Sequence, residues 1–268
     1  MSSQTSPAAA SIVIRDLSDK TAVVTGASSG IGRAIALELG RAGANVLVHA
    51  RSNGELAHEV AEQLREGDVM SHVVLYDFTE VTHQDWFLHE AFSWRNGVDI
   101  WVNNAGADIL TGAAAEESFD EKLDRLLRVD LLATIRLARA AGQKMMETGG
   151  VIVNSGWDQA EVGMAGDSGE MFAAIKGAIM AFSRSLAKSL APDVRVNCVA
   201  PGWIKTGWGE QASESWHHRA EEESLLGRWG TPEDVGRAVR FLVSPEAAFI
   251  NGQVLSVNGG FRTGSVSK

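Results

Sequence analysis

A chain of 268 residues, 45% of them hydrophobic, carries enough apolar material for a sizeable core, and its length allows one large domain or two small ones. A formal net charge of −10 and the lack of any polybasic stretch argue against nucleic acid and anionic membrane surfaces as partners. The single cysteine, Cys198, excludes an intramolecular disulfide and a cysteine-rich zinc site. No metal site is expected.

The first ten residues are rich in Ser and Ala and lack the basic start of a secretory signal, and the apolar run Ile12–Ile14 ends at once in Arg15 and Asp16. Residues 1–17 are expected to form a flexible tail, with a second short tail at 263–268. No apolar run approaches the ~20 residues of a membrane-spanning helix, so a cytoplasmic protein is expected. From residue 20 onward, short apolar runs alternate with longer helical patterns. Candidate strands are Thr21–Thr25, Asn45–Ala50, His72–Tyr76, Asp99–Asn103, Val151–Asn154, Val194–Val199 and Gln253–Val257. Helical stretches include Ile31–Ala42, Gly54–Arg65, Phe119–Met146 and Glu170–Leu190. The alternation predicts a single-domain α/β Rossmann fold over residues 18–262. Its core is a doubly wound parallel sheet of about seven strands with helices on both faces. Cys198 falls in the run Val194–Val199, where a buried thiol fills core space. Residues 203–227 lack strand character, mix aromatics with charges, and are expected to form a lid.

The first strand runs into Thr25-Gly26-Ala27-Ser28-Ser29-Gly30-Ile31-Gly32, where a helical pattern starts. Glycines there let the backbone approach a pyrophosphate, whose charge sits at the positive end of the helix. The spacing is Gly-x3-Gly-x-Gly. Together with Asn103-Asn104-Ala105-Gly106, Pro201-Gly202-Trp203-Ile204-Lys205-Thr206, the run Gly227–Asp234 and Val257-Asn258-Gly259-Gly260, it resembles the short-chain dehydrogenase/reductase family over about residues 18–262. The members resembled are the 3-oxoacyl-acyl-carrier-protein reductase-like ones.

That resemblance implies a nicotinamide dinucleotide held by Gly26, Ser28, Ser29, Gly30, Ile31 and Gly32. It places Asp77 and Phe78 at the adenine, Asn104, Ala105 and Gly106 along the adenosine ribose, Lys176 on the nicotinamide ribose, and Pro201, Gly202, Ile204 and Thr206 at the nicotinamide. The alternative for Asp77 is a solvated loop carboxylate, but its position directly after a strand favours the cofactor role. The family's acidic position at the end of the second strand aligns with Ala50, and Arg51 follows it. An acid would repel a 2′-phosphate whereas an arginine welcomes it, so NADP(H) is favoured, with NAD(H) open if Arg51 only faces solvent.

The catalytic pattern departs from the family at three of four positions. The resemblance implies a Tyr-x-x-x-Lys pair on a helix, a serine at a strand end and an asparagine on the preceding helix. Here Phe172 and Lys176 occupy the helical pair, four apart and so on one face. The serine position falls on Gly156, with Ser155 one place early and on the alternate side of the strand. Asp130 stands at the asparagine. A phenyl ring has no ionisable proton, and the chain's one tyrosine, Tyr76, lies at the adenine end. Asp130 is expected to pair with Lys176. Asp158, Asp167 and Glu170 are candidate substitute proton donors, each with a solvated loop acid as the alternative. The site candidates for chemistry are therefore Lys176, Ser155, Asp130 and Asp158.

Trp157, Trp203, Trp208 and Trp216 fall on segments that rim the expected pocket. They either pack on one another or stack on a flat substrate; His217 and His218 lie among them, with exposure as their plainer reading. Two functions stay open: an NADP(H)-dependent oxidoreductase acting on a small carbonyl, imine or conjugated substrate, and a non-catalytic cofactor-binding relative acting as sensor or subunit partner. A homodimer or homotetramer is expected through the helices at 119–146 and 170–190.

Overall fold

A computed structural model of the chain describes residues 15–262; residues 1–14 of the expected tail at 1–17 and the tail at 263–268 lie outside the described residues, while Leu17 is buried in the core and its amide donates to the Ala42 carbonyl. Seven parallel strands form one sheet: β1 (Thr21–Val24), β2 (Asn45–Ala50), β3 (Ser71–Leu75), β4 (Ile100–Asn103), β5 (Gly150–Ser155), β6 (Val194–Pro201) and β7 (Val254–Val257). Their spatial order is β3-β2-β1-β4-β5-β6-β7, so the direction of winding reverses between β1 and β4. Ligands of such sheets bind at that crevice, beyond the carboxyl ends of the strands. The sequence reading located every strand to within two residues at either end.

Both faces of the sheet are covered because the central strands are apolar on both sides. On one face Val24, Val48, Val102 and Val153 pack under α1 (Gly30–Arg41), α2 (Gly54–Glu66) and α9 (Pro232–Val243). On the other, Val23, Leu47, Trp101 and Ile152 pack under α3 (Val81–Ser93), α5 (Ala133–Met145) and α6 (Asp167–Leu190). Thr231-Pro232-Glu233-Asp234 forms a reciprocal capping box with proline in the first turn, which starts α9 sharply against α1.

Two expected helices differ from their sequence reading. The stretch 119–146 is not one regular helix: α4 (Phe119–Leu126) passes through a wide π turn at Leu127–Leu132 before α5. A π turn inserts an extra residue and re-aims the side chains around it, here Asp130. Helix α6 begins three residues before Glu170, at Asp167. Residues 203–227 carry two short helices, α7 (Gly207–Gln211) and α8 (Glu214–Glu223). Among the described residues no helix is long and apolar enough to cross a membrane.

Candidate active site

A cleft of about 1310 Å³ opens at the β1/β4 crevice, larger than the ~300–1,000 Å³ usual for small-molecule sites. All the residues expected to hold a dinucleotide line it, from Gly26 through Arg51, Asp77, Phe78 and Asn104 to Lys176 and Thr206. They come from six separate segments of the chain, which the sheet brings to one edge.

The glycine turn is shaped for a close backbone ligand. Gly26 and Gly30 have φ of +64° and +52°, values that glycine adopts without steric cost. A Cβ at Gly32 would stand 2.1 Å from the Gly26 carbonyl oxygen, so the first turn of α1 is as tight as a backbone allows. No side chain caps α1, and its first turn holds no acid, which leaves its amide donors directed into the cleft. Neighbouring segments lock the turn in place. The Thr25 hydroxyl accepts from the Asn104 and Ala105 amides at 2.9 and 3.0 Å, and the Asn104 side-chain amide donates back to the Thr25 and Gly26 carbonyls.

His49 also holds this turn, and sequence reasoning passed over it. Its Nδ1 accepts from the Gly26 amide at 3.1 Å, its Nε2 donates to the Tyr76 carbonyl at 2.9 Å, and its ring stacks on Phe78 at 4.1 Å. The available signal was a polar residue inside the apolar strand Val46-Leu47-Val48-His49. Burial pushes its pKa down to about 4, against the opposing effects of the Tyr76 carbonyl and Asp77. The imidazole is therefore neutral, as one donor and one acceptor require.

At the end of β2, Arg51 is exposed beside Asp77. Partial burial raises the Asp77 pKa, but hydrogen bonds from Thr79 and the charge of Arg51 outweigh it, leaving the carboxyl below its ordinary value.

The other end of the cleft carries the altered positions. Lys176 Nζ lies 2.8 Å from Asp130 Oδ2, with side-chain exposures of 13% and 2%. Asp130 Oδ1 accepts from the Ala107 amide at 2.8 Å. Phe172, at the position where the resemblance implies a tyrosine, stands on the cleft wall, edge-on to Trp157 at 6.1 Å between ring centres. Ser155 lines the cleft with a buried hydroxyl that has no hydrogen-bond partner among the described residues. Position 156 faces α6, where a Cβ would meet Met180 Cγ at 2.7 Å and Cys198 Sγ at 3.0 Å. A serine there would need Met180 to move.

Asp158 is not on the cleft wall, which corrects its place among the candidate proton donors. It lies in a short turn at Asp158–Ala160 and points behind the wall, accepting from Asn258 Nδ2 at 3.0 Å and from the Gln159 amide at 2.8 Å. Asp167 and Glu170 sit exposed in the first turn of α6, off the cleft, whereas Met164 and Ser168 line it. Burial pushes the Asp158 carboxyl up to about 6, with the Asn258 and Gln159 hydrogen bonds pulling the other way. The folded protein thus holds this proton more tightly than the unfolded chain does. The stability that results is complete below the ordinary value of 3.8 and lost as pH rises through about 6. Asp158→Asn is accordingly expected to be more stable than the parent at pH 8, by on the order of 3 kcal/mol. The difference should vanish towards pH 4, and equal urea midpoints at pH 8 would remove this account. His49 works in the opposite sense, since its contribution is present above pH 6.5 and lost as pH falls through about 4.

Of the rim tryptophans, Trp203 and Trp216 pack on one another, whereas Trp157 packs on Phe172. Trp203 lies 5.4 Å from Trp216 and 6.0 Å from Trp229, and its indole N–H donates to Glu223 at 2.7 Å. Arg219 stacks over Trp203 and Trp216 and is paired with the same Glu223. His217 contacts Trp229, while His218 is exposed beside Glu222. The Trp208 side chain lies outside the described residues.

The sequence profile of the family described as enoyl-(acyl carrier protein) reductase matches residues 26–262. The chain belongs to the short-chain dehydrogenase/reductase family of oxidoreductases. It is 37% identical over 250 residues to a 3-oxoacyl-(acyl-carrier-protein) reductase FabG of Aquifex aeolicus, covering 91% of this chain and 98% of the relative. Among solved structures, it resembles the landomycin C-6 ketoreductase LanV with bound NADP and rabelomycin (31% identity, TM-score 0.79, 91% of this chain and 97% of that one). It also resembles a 7α-hydroxysteroid dehydrogenase complexed with NADH and 7-oxo glycochenodeoxycholic acid (28% identity, TM-score 0.83, 91% and 95%). The two structural relatives thus carry different nicotinamide dinucleotides.

Proposed function

We propose that this short-chain dehydrogenase/reductase is an NADP(H)-dependent reductase of a small organic acceptor, working without the family's tyrosine proton donor. The observation that carries this reading is the single cleft joining the glycine turn, Arg51 and the Lys176–Asp130 pair. The amides of the glycine turn would hold the pyrophosphate, Asn104 to Gly106 the ribose, and Arg51 a 2′-phosphate, with no acid at Ala50 to repel it. When bound, the dinucleotide supplies the hydride. Lys176 orients the ribose with its charge balanced by Asp130, while Phe172 and Trp157 keep the wall beside the acceptor dry. Segment 203–227 acts as the lid over this end. A proton, where the product needs one, comes from water or from the Ser155 hydroxyl rather than from Asp158, which faces away. Assembly into a dimer or tetramer through α4, α5 and α6 belongs to the same reading, as does a cytoplasmic location.

Phe172 also favours a second reading, a cofactor-binding protein without turnover. Titration with NADPH and NADH followed by a screen of ketones, imines and enones separates the two. Arg51→Ala should weaken NADPH binding about 10- to 100-fold, the size of a lost charge-assisted contact, and leave NADH within about twofold. Unchanged NADPH affinity in Arg51→Ala would overturn the cofactor preference. If neither nucleotide binds the parent protein, both readings fail.

A further inference from the structure

Hydride addition to a neutral carbonyl leaves an alkoxide that must be protonated, and the reacting end of this cleft offers for it only water and the weakly acidic hydroxyl of Ser155. Phe172 replaces the expected donor. Tyr76, the chain's one tyrosine, donates its hydroxyl to Glu90 at the far end. Lys176 is tied to Asp130 at 2.8 Å, and the Asp158 carboxyl points behind the wall.

The same end is well equipped to hold a positive charge. Trp157 and Phe172 stand edge-on to each other on the wall, and Trp203 and Trp216 line the opening above. Aromatic faces attract cations through their quadrupole. Trp203 and Trp216 already take one, the Arg219 guanidinium, at 5.6 and 5.0 Å. The local charges add in the same direction. Lys176 cancels Asp130, and Arg219 is paired with Glu223. Asp158, next to Gly202 and Asn258, is hydrogen-bonded only to neutral groups. A carboxylate with no cation partner among the described residues therefore follows directly on Trp157 in the chain and lies beside Gly202 of the cleft lining. In a dry site such a charge is screened far less than in water.

We propose that the acceptor of this cleft is a preformed cation, an iminium group, seated against the Trp157 and Phe172 rings. This rests on the reading of the chain as a nicotinamide-dependent reductase. The balance needs no proton: hydride from the reduced nicotinamide bonds to the iminium carbon, the C=N π pair moves to nitrogen, and a neutral amine and the oxidised nicotinamide result. Three departures from the family pattern then serve one purpose. Phe172 supplies a ring instead of a hydroxyl, Asp130 neutralises the lysine that would repel a cation, and Gly156 leaves Met180 in the place of a polar serine.

The test starts with binding. Protein saturated with NADPH is titrated with an N,N-dimethyl tetrahydroisoquinolinium ion and with its neutral carbon isostere, following heat and tryptophan fluorescence. The ion should bind about 10-fold more tightly than the isostere. Trp157→Leu should erase that preference, while Trp157→Phe retains it and guards against a folding defect. Turnover is the second readout: an N-methyl dihydroisoquinolinium ion should be reduced, whereas tetralone should not. Phe172→Tyr should gain tetralone reduction. Equal affinity for ion and isostere, or comparable reduction of tetralone by the parent protein, overturns the proposal. NADPH binding measured first keeps these outcomes distinct from a failure of the cofactor reading.

Discussion

Lys176→Met is expected to lower the stability of the protein by about 3–5 kcal/mol, the cost of leaving one member of a buried ion pair alone. Asp130 is the partner left behind: its side chain is 2% exposed, and the amide of Ala107 would be its one remaining donor. The carboxylate must then stay charged in a dry setting or take up a proton, and either route costs folding energy. Asp130→Asn alone strands Lys176, which at 13% exposure reaches some solvent, so its cost should be smaller. The double variant removes both charges, and its loss should be well below the sum of the two single ones. That non-additivity identifies a true coupling rather than two packing defects. Urea midpoints at pH 7, with the slope unchanged, measure all three. A strictly additive double variant would show that the pair contributes nothing as a pair.

Gly32→Ala should abolish nucleotide binding, by on the order of 100-fold or more, because each 1.4 kcal/mol of misfit is a tenfold loss. The new methyl group would stand 2.1 Å from the Gly26 carbonyl oxygen and 2.5 Å from Asn104 Nδ2. Neither can withdraw freely. The Gly26 amide is held by His49, and the Asn104 amide is tied to Thr25 and Gly26. The turn must open, and the amides directed at the ligand move with it. Gly177→Ala in α6 is the control: its Cβ would meet only Ala160 at 3.9 Å. Removing a glycine from a helix interior should be neutral or add about 0.5–1 kcal/mol. Isothermal titration with NADPH against both variants gives the comparison. Wild-type affinity in Gly32→Ala would mean that the turn is not the cradle.

Much of this was legible in one dimension. Strands buried on both faces announce themselves as apolar runs, and β1 to β7 were placed from that pattern alone. The glycine turn was legible because its requirement is local, a backbone without Cβ atoms between a strand and a helix. Phe172 and Lys176 could be paired because helical periodicity puts residues four apart on one face.

What the chain could not declare in one dimension depends on contacts between distant segments. His49 reads as an oddity in β2 until the fold sets it under Gly26 and against Phe78. Asp158 reads as a candidate acid until Asn258, a hundred positions along the chain, takes up its carboxylate behind the wall. The π turn that carries Asp130 to Lys176 contains no proline or glycine that would mark it in the chain.

The amino-acid sequence by itself determined the layered α/β architecture, the glycine turn between first strand and first helix, and the placing of Phe172 and Lys176 on one helix face, since each follows from periodicity or from the identity of single residues. The Asp130–Lys176 pair was already implied by the two positions, whereas only the tertiary structure decided that Asp158 turns to Asn258 and that Met180 rather than a hydroxyl faces position 156. Those outcomes depend on side-chain direction at the ends of strands and turns. One residue of register or one extra residue in a helix reverses that direction without leaving a mark in the pattern of apolar and polar positions.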